Sequence, residues 1–262
     1  MKRTWIESSL LTLRVQRWLH NGRPARILHL FKGVCNLVDD RGNVISLAAP
    51  AVGPGPFTML MEEDFCRYLS YIDLQQPIAV DEADQSLSIG SLIISTDSAS
   101  VWNATPNWSR LRHEQRTSWP ASTPLPVAID IQLDLLLQAI DREDIETTVS
   151  AVGKLAGLGR GLTPAGDDVL LGVLFALWIW FPQQAWIDLI VESAVHCTTT
   201  LSAAFLRAAA AGEATVHWHD LVNGHQDAVA NILAIGHSSG ADAWNGFLRA
   251  KEHFCTKKDK TS

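Results

Sequence analysis

Apolar and polar residues keep a short rhythm in the first part of this chain and a longer one in the second. Ile27 to Phe31, Val34 to Val38 and Val44 to Ala48 are brief apolar-rich runs closed by turn formers, which predicts strands. Asp39-Asp40-Arg41-Gly42-Asn43 between the last two predicts a hairpin. Strands are also predicted over Pro77 to Val80, Leu87 to Ile89 and Leu92 to Ser95, with Gly90-Ser91 as a tight reversal. Upstream, Ile6, Leu10, Leu13 and Trp18 fall at helical spacing with Arg14 and Arg17 opposite, so Trp5 to Trp18 is predicted as an amphipathic helix. Ala49 to Pro56 carries three prolines and two glycines and reads as a loop, and Phe57 to Ile72 reads as mixed or helical.

After Pro126 the helical period takes over. It predicts helices at Ile129 to Ile140, Ile145 to Leu155, Trp186 to Cys197, Leu201 to Ala211 and Val216 to Val222, with Gly212 closing the fourth. Val169 to Phe181 holds no charge and ends at Pro182. About 13 residues are too few for a membrane-spanning helix, which needs about 20, so this segment is predicted as a helix buried at the centre of a domain. The fold class expected is α+β, a β-rich N-terminal region followed by a mainly α-helical C-terminal domain with a buried central helix. The strip Trp102 to Pro126, rich in tryptophan, arginine and proline, reads as a linker or interface. It sets domains at 1–125 and 126–262, and the basic end from Lys251 to Ser262 reads as frayed.

Composition narrows the partners. With 21 basic and 28 acidic side chains the formal net charge is −7, which disfavours nucleic acid and anionic membranes. Cys35, Cys66, Cys197 and Cys255 stand far apart without metal-ligand spacing, and Lys2-Arg3 is not followed by an apolar run. The expectation is a reduced, cytoplasmic protein without structural zinc or signal peptide. His217 and His219 are two apart in a helical stretch and cannot share a face. Ten tryptophans lead to the expectation that some lie at an interface.

The candidate chemistry sits in Gly157-Leu158-Gly159-Arg160-Gly161-Leu162-Thr163-Pro164-Ala165-Gly166-Asp167-Asp168, which feeds the buried helix. Its glycines allow positive φ and close backbone approach to a ligand. Thr163 is the expected N-cap with Pro164 the first helical residue, Asp167 being the alternative cap. The free N–H groups of a helix start attract an anion, but Asp167 and Asp168 already occupy that field. An anionic ligand would therefore need a divalent cation such as magnesium, a countercharge such as Arg160, or N–H donors of its own facing an aspartate. Gly236-His237-Ser238-Ser239-Gly240-Ala241-Asp242 repeats the pattern, since Gly166-x-Asp168-x-x-x-Gly172 and Gly240-x-Asp242-x-x-x-Gly246 have the same spacing. If the likeness is meaningful, the two loops converge on one pocket.

These two loops, together with Leu201-Ser202-Ala203-Ala204-Phe205-Leu206-Arg207-Ala208-Ala209, resemble the AllH-like family, the small subunit type of bacterial oxamate carbamoyltransferase of anaerobic allantoin use. The resemblance implies conversion of oxalurate and phosphate to oxamate and carbamoyl phosphate, in a complex with two larger subunits, one of them similar to acyl-CoA synthetases. The family pattern has proline after the second loop glycine and serine before Gly166. Arg160 and Ala165 stand there in this chain, and Arg160 suits an anionic ligand.

The residues and the resemblance agree on a small anion that also carries a carbamoyl group. Asp168, Arg160 and His237 are the expected catalytic residues. Gly159, Gly161, Thr163, Gly166, Asp167, Ser238, Ser239, Gly240 and Asp242 are expected to bind substrate, with Asp168 or Asp167 accepting a carbamoyl N–H. No nucleophilic triad is visible, which favours direct attack by phosphate. The alternatives are a non-catalytic assembly or ligand-binding subunit, and a magnesium-dependent phosphoryl-handling enzyme.

Overall fold

The computed structural model of the protein describes residues 3–62, 65–81, 83–113, 119–120 and 123–258. They form two compact units, Met1–Ala104 and Thr105–Ser262.

The first unit is a strand-rich near-barrel sheet. Its strands are β1 (Thr4–Thr12), β2 (Ala25–Phe31), β3 (Val34–Asp39), β4 (Val44–Ala48), β5 (Thr58–Met61), β6 (Ile78–Asp81), β7 (Ser86–Ile89), β8 (Leu92–Ser95) and β9 (Ser100–Trp102). The spatial order is β2-β3-β4-β5-β1-β8-β7-β6, with β9 also on β1. β1 is the hub: Thr4 to Glu7 run parallel to β8, Ser8 to Leu11 pair antiparallel with β5 across a bulge between Ser8 and Leu10, and Leu10 to Thr12 run parallel to β9. The hairpin predicted at Asp39–Asn43 is present, and the Asp39 carboxylate accepts from the backbone N–H groups of Arg41 and Asn43 at 2.9 and 2.8 Å.

The amphipathic helix predicted over Trp5 to Trp18 is corrected to β1 followed by α1 (Leu13–His20). Thr12 divides them, its hydroxyl accepting from Val15 N. The apolar spacing in Ile6, Leu10 and Leu13 is shared by the two elements, and the sheet takes the first part because β1 finds partners on both sides. Val15, Trp18 and Leu19 of α1 join Leu37, Ile45, Leu47, Met59 and Met61 of the sheet in one buried core. A short helix α2 (Phe65–Leu69) adds Phe65 to the same core.

The second unit is helical. It contains α3 (Val127–Asp141), α4 (Ile145–Leu155), α5 (Ala165–Trp180), α6 (Gln184–Ala194), α7 (Thr200–Ala210), α8 (Val216–Val222), α9 (Ala228–Leu233) and α10 (Ser239–Lys258). As expected, α5 is the buried central helix: from Val169 to Ala176 only Leu171 is not fully buried. Its closest partner is α10. The junction expected at residue 125 lies within this unit, because the 3-10 segment Trp108–His113 belongs to the helical body. Trp108 is buried there, stacks on Phe175 at 5.0 Å and donates its indole N–H to Gly212 O at 2.8 Å.

The tryptophans also have an internal explanation. Trp108, Trp119, Trp180, Trp218 and Trp244 meet Phe175 and Phe247 in one ring cluster, and Trp218 is 2% exposed. The basic end is helical as far as Lys258, with the Lys251 ammonium 4.0 Å above the Trp119 ring. Residues 259–262 of the expected frayed tail lie outside the described residues.

Candidate functional site

The first glycine loop is bound closely to the start of α7. A Cβ on Gly157 (φ +73°) would stand 2.4 Å from Cys197 O, and one on Gly159 (φ +128°) 2.7 Å from Ala165 N. Both positions require glycine for space as well as for φ. Leu162 O accepts from the hydroxyls of Thr199 at 2.6 Å and Ser202 at 3.4 Å, and Thr199 also caps α7. Asp167 faces inward. Its Oδ1 accepts from Gly157 N at 2.9 Å and its Oδ2 from the Thr198 hydroxyl, so both oxygens are engaged within the protein. Asp167 braces the loop, and Thr198, Thr199 and Ser202 do so with it. Sequence reasoning gave these three no role, although a threonine just before an apolar helical run is an N-cap signal.

The expected N-cap is corrected. Pro164 occupies that position with no side-chain cap, because the Thr163 hydroxyl is turned to Ser239 and the Asp167 carboxylate to Gly157.

The repeat in the sequence is a repeat in space. Leu158 N bonds to Leu155 O and Gly166 N to Leu158 O; Ile235 N bonds to Ile232 O and Gly240 N to Ile235 O. A Cβ on Gly166 would strike Leu155 O at 2.0 Å, and one on Gly240 would strike Ile232 O at 1.8 Å. α4-loop-α5 and α9-loop-α10 are thus the same helix-loop-helix device, the second with a shorter loop. Their central helices cross reciprocally. A Cβ on Gly172 would lie 1.8 Å from Ala243 O, and one on Gly246 would lie 2.1 Å from Val169 O. Small residues one turn after each aspartate let the two backbones touch, and the two helix starts meet as a result.

At that meeting the Thr163 and Ser239 hydroxyls are 2.8 Å apart, joining the loops. Asp168 and Asp242 are both buried, at 7% and 9% exposure. Burial pushes the Asp168 carboxyl up to about 8; the Ser239 and Thr163 hydroxyls pull the other way, and the neighbouring Asp242 and Asp167 add to the rise. Asp242 is also raised, by burial against a hydrogen bond from Ser238. Asp168 Oδ2 is buried and has no hydrogen-bond partner. Around this buried pair, Gly159, Arg160 and Gly161 on one loop and His237 and Ser238 on the other are exposed. Gly166 and Gly240 are buried where each helix seats on its own loop.

Among the described residues no three or more His, Cys, Asp or Glu side chains are grouped to hold a metal ion. His217 and His219 lie on α8. No helix of the described residues is long and apolar enough to cross a membrane.

Two helix starts joined by the Thr163–Ser239 contact, with a buried carboxyl pair and exposed loop residues around it, mark the candidate site in an α+β protein. Residues 155–251, which span both loops, match the family described as oxamate carbamoyltransferase subunit AllH, and residues 3–101 match the AllH family N-terminal domain. The chain belongs to the AllH family. No solved structure matches it.

Proposed function

We propose that this chain is a working subunit of an oxamate carbamoyltransferase that converts oxalurate and phosphate to oxamate and carbamoyl phosphate, and that the reaction takes place where α5 and α10 begin. The observation that carries this reading is the contact between Thr163 and Ser239. It joins two loop-to-helix devices in one place, and a reaction between two anions needs two anion-holding groups side by side. In this reading the exposed amides and side chains around Gly159 to Gly161 and His237 to Ser238 hold the anionic ends, with Arg160 as countercharge. The Asp168–Asp242 pair meets the N–H groups of the carbamoyl part.

Direct attack by phosphate fits the side chains present. The Thr163 and Ser239 hydroxyls bond to each other, and no imidazole bonds to either among the described residues, so neither is activated as a nucleophile. The test is carbamoyl phosphate formation by the chain alone and with its co-purifying partners. The expected result is turnover in the complex that falls at least about 100-fold in Asp242→Asn, as removal of a charge-stabilising group does. Full turnover in that variant would make the chain an assembly subunit and place the chemistry in a partner.

A further inference from the structure

We propose that, of the two buried carboxyl groups, Asp168 holds the proton and delivers it from Oδ2 to the nitrogen that leaves when the carbamoyl group is transferred, while Asp242 stays charged. This rests on the function proposed above and adds the proton path.

Three observations carry it. Asp168 is more than nine-tenths buried, and its Oδ2 has no protein partner. An ionised oxygen in such a place loses its hydration with nothing in return, whereas an O–H waits for an acceptor. Of the groups that act on it, Asp242 and Asp167 favour the acid form together with burial, while the Ser239 and Thr163 hydroxyls favour the charged form without outweighing burial. From α5 comes Asp167, already bonded to Gly157 and Thr198; from α10 come Asp242 and the Ser239 hydroxyl; from the first loop comes the Thr163 hydroxyl. No cation is among them, and like charges in one buried site do not both ionise. The reciprocal seating of Gly172 on Ala243 and of Gly246 on Val169 keeps the two helices from parting to relieve the repulsion.

The reaction needs such a proton. An oxygen of hydrogen phosphate forms a bond to the ureido carbon, and the electron pair of the carbon–nitrogen bond passes to nitrogen. Without a proton, oxamate would leave as an amide anion. With the Asp168 proton it leaves as the neutral amide, and Asp168 becomes a carboxylate. The proton given up by the attacking hydrogen phosphate restores the acid, so protons balance over the cycle. General acid help of this kind contributes about 10²–10⁴-fold.

The experiment uses the whole complex with wild-type chain or Asp168→Asn. Infrared difference spectra below and above about pH 8 are expected to show one un-ionised carboxyl lost on alkalinisation in wild type and absent in the variant. Titration with oxamate is expected to give affinities within a few-fold of each other, while oxalurate phosphorolysis falls at least about 100-fold and loses its alkaline decline. An unchanged rate or pH profile in a variant that binds oxamate overturns the delivery step alone, as does the same carboxyl signal in both proteins. A wild-type complex that binds neither oxalurate nor oxamate overturns the functional reading and the delivery step with it.

Discussion

Gly172 and Ala243 meet backbone to backbone: the carbonyl oxygen of Ala243 stands 1.8 Å from the point that a Cβ on Gly172 would fill. Both belong to buried helices, so neither side has a flexible chain end that can yield. Gly172→Ala and Gly246→Ala are expected to destabilise the helical unit by about 3 kcal/mol or more, at or above the usual upper end for overpacking. Urea denaturation checks this. Gly153→Ala is the control, since a Cβ there meets nothing within 4 Å and its φ is ordinary for a helix.

Neighbouring aspartates are expected to behave in opposite ways. Asp167→Ala leaves Gly157 N and the Thr198 hydroxyl without their acceptor, at a cost of about 1–3 kcal/mol, and Thr198→Val is expected to reproduce part of it. If both variants melt as wild type does, Asp167 is not a brace.

The raised Asp168 carboxyl fixes a sign for pH dependence. Between the ordinary aspartate value and about 8 the folded chain holds a proton that the unfolded chain releases, so this group lowers stability as pH rises through that window. The slope from one such group is at most about 1.4 kcal/mol per pH unit. Asp168→Asn is expected to flatten it and to be more stable than wild type above about pH 8, read as melting temperature against pH. Asp242→Asn, by removing a like charge, is expected to move the wild-type slope to lower pH.

Thiol accessibility offers a check on burial in both units. Cys35 is fully buried, and burial pushes its thiol up to about 12, while Cys66 and Cys197 are exposed. An alkylating reagent is expected to mark Cys66 and Cys197 in the native protein and Cys35 only after denaturation, as peptide mass spectrometry would show.

Arg160 separates binding from folding. It is exposed, so Arg160→Ala is expected to leave stability within about 0.5 kcal/mol. Loss of a charge-assisted contact is expected to weaken oxalurate binding by on the order of tenfold or more in calorimetric titration.

Much of this architecture is written locally. α4 runs over the residues its apolar period predicts, and the Asp39–Asn43 hairpin follows from turn chemistry alone. The spacing shared by the two glycine loops likewise anticipates that they meet. What escaped depends on distant partners. Whether Trp5 to Thr12 is helix or strand is decided by β5 and β8, and whether Asp167 faces a ligand or the protein is decided by Thr198. The tryptophan cluster was hidden for the same reason: composition counts rings but does not say which of them stack.

The hydroxyl contact between Thr163 and Ser239 spans 76 positions of chain. During synthesis the first loop, α5 and α7 can all form while the site is still half a site, and it is completed only when α10 emerges and docks. Contacts of such sequence separation are among the later ones to form in folding. A molecule that binds across both loops therefore recognises only finished chain and holds its two halves together, adding about 2.7 kcal/mol to stability at a hundred times its Kd.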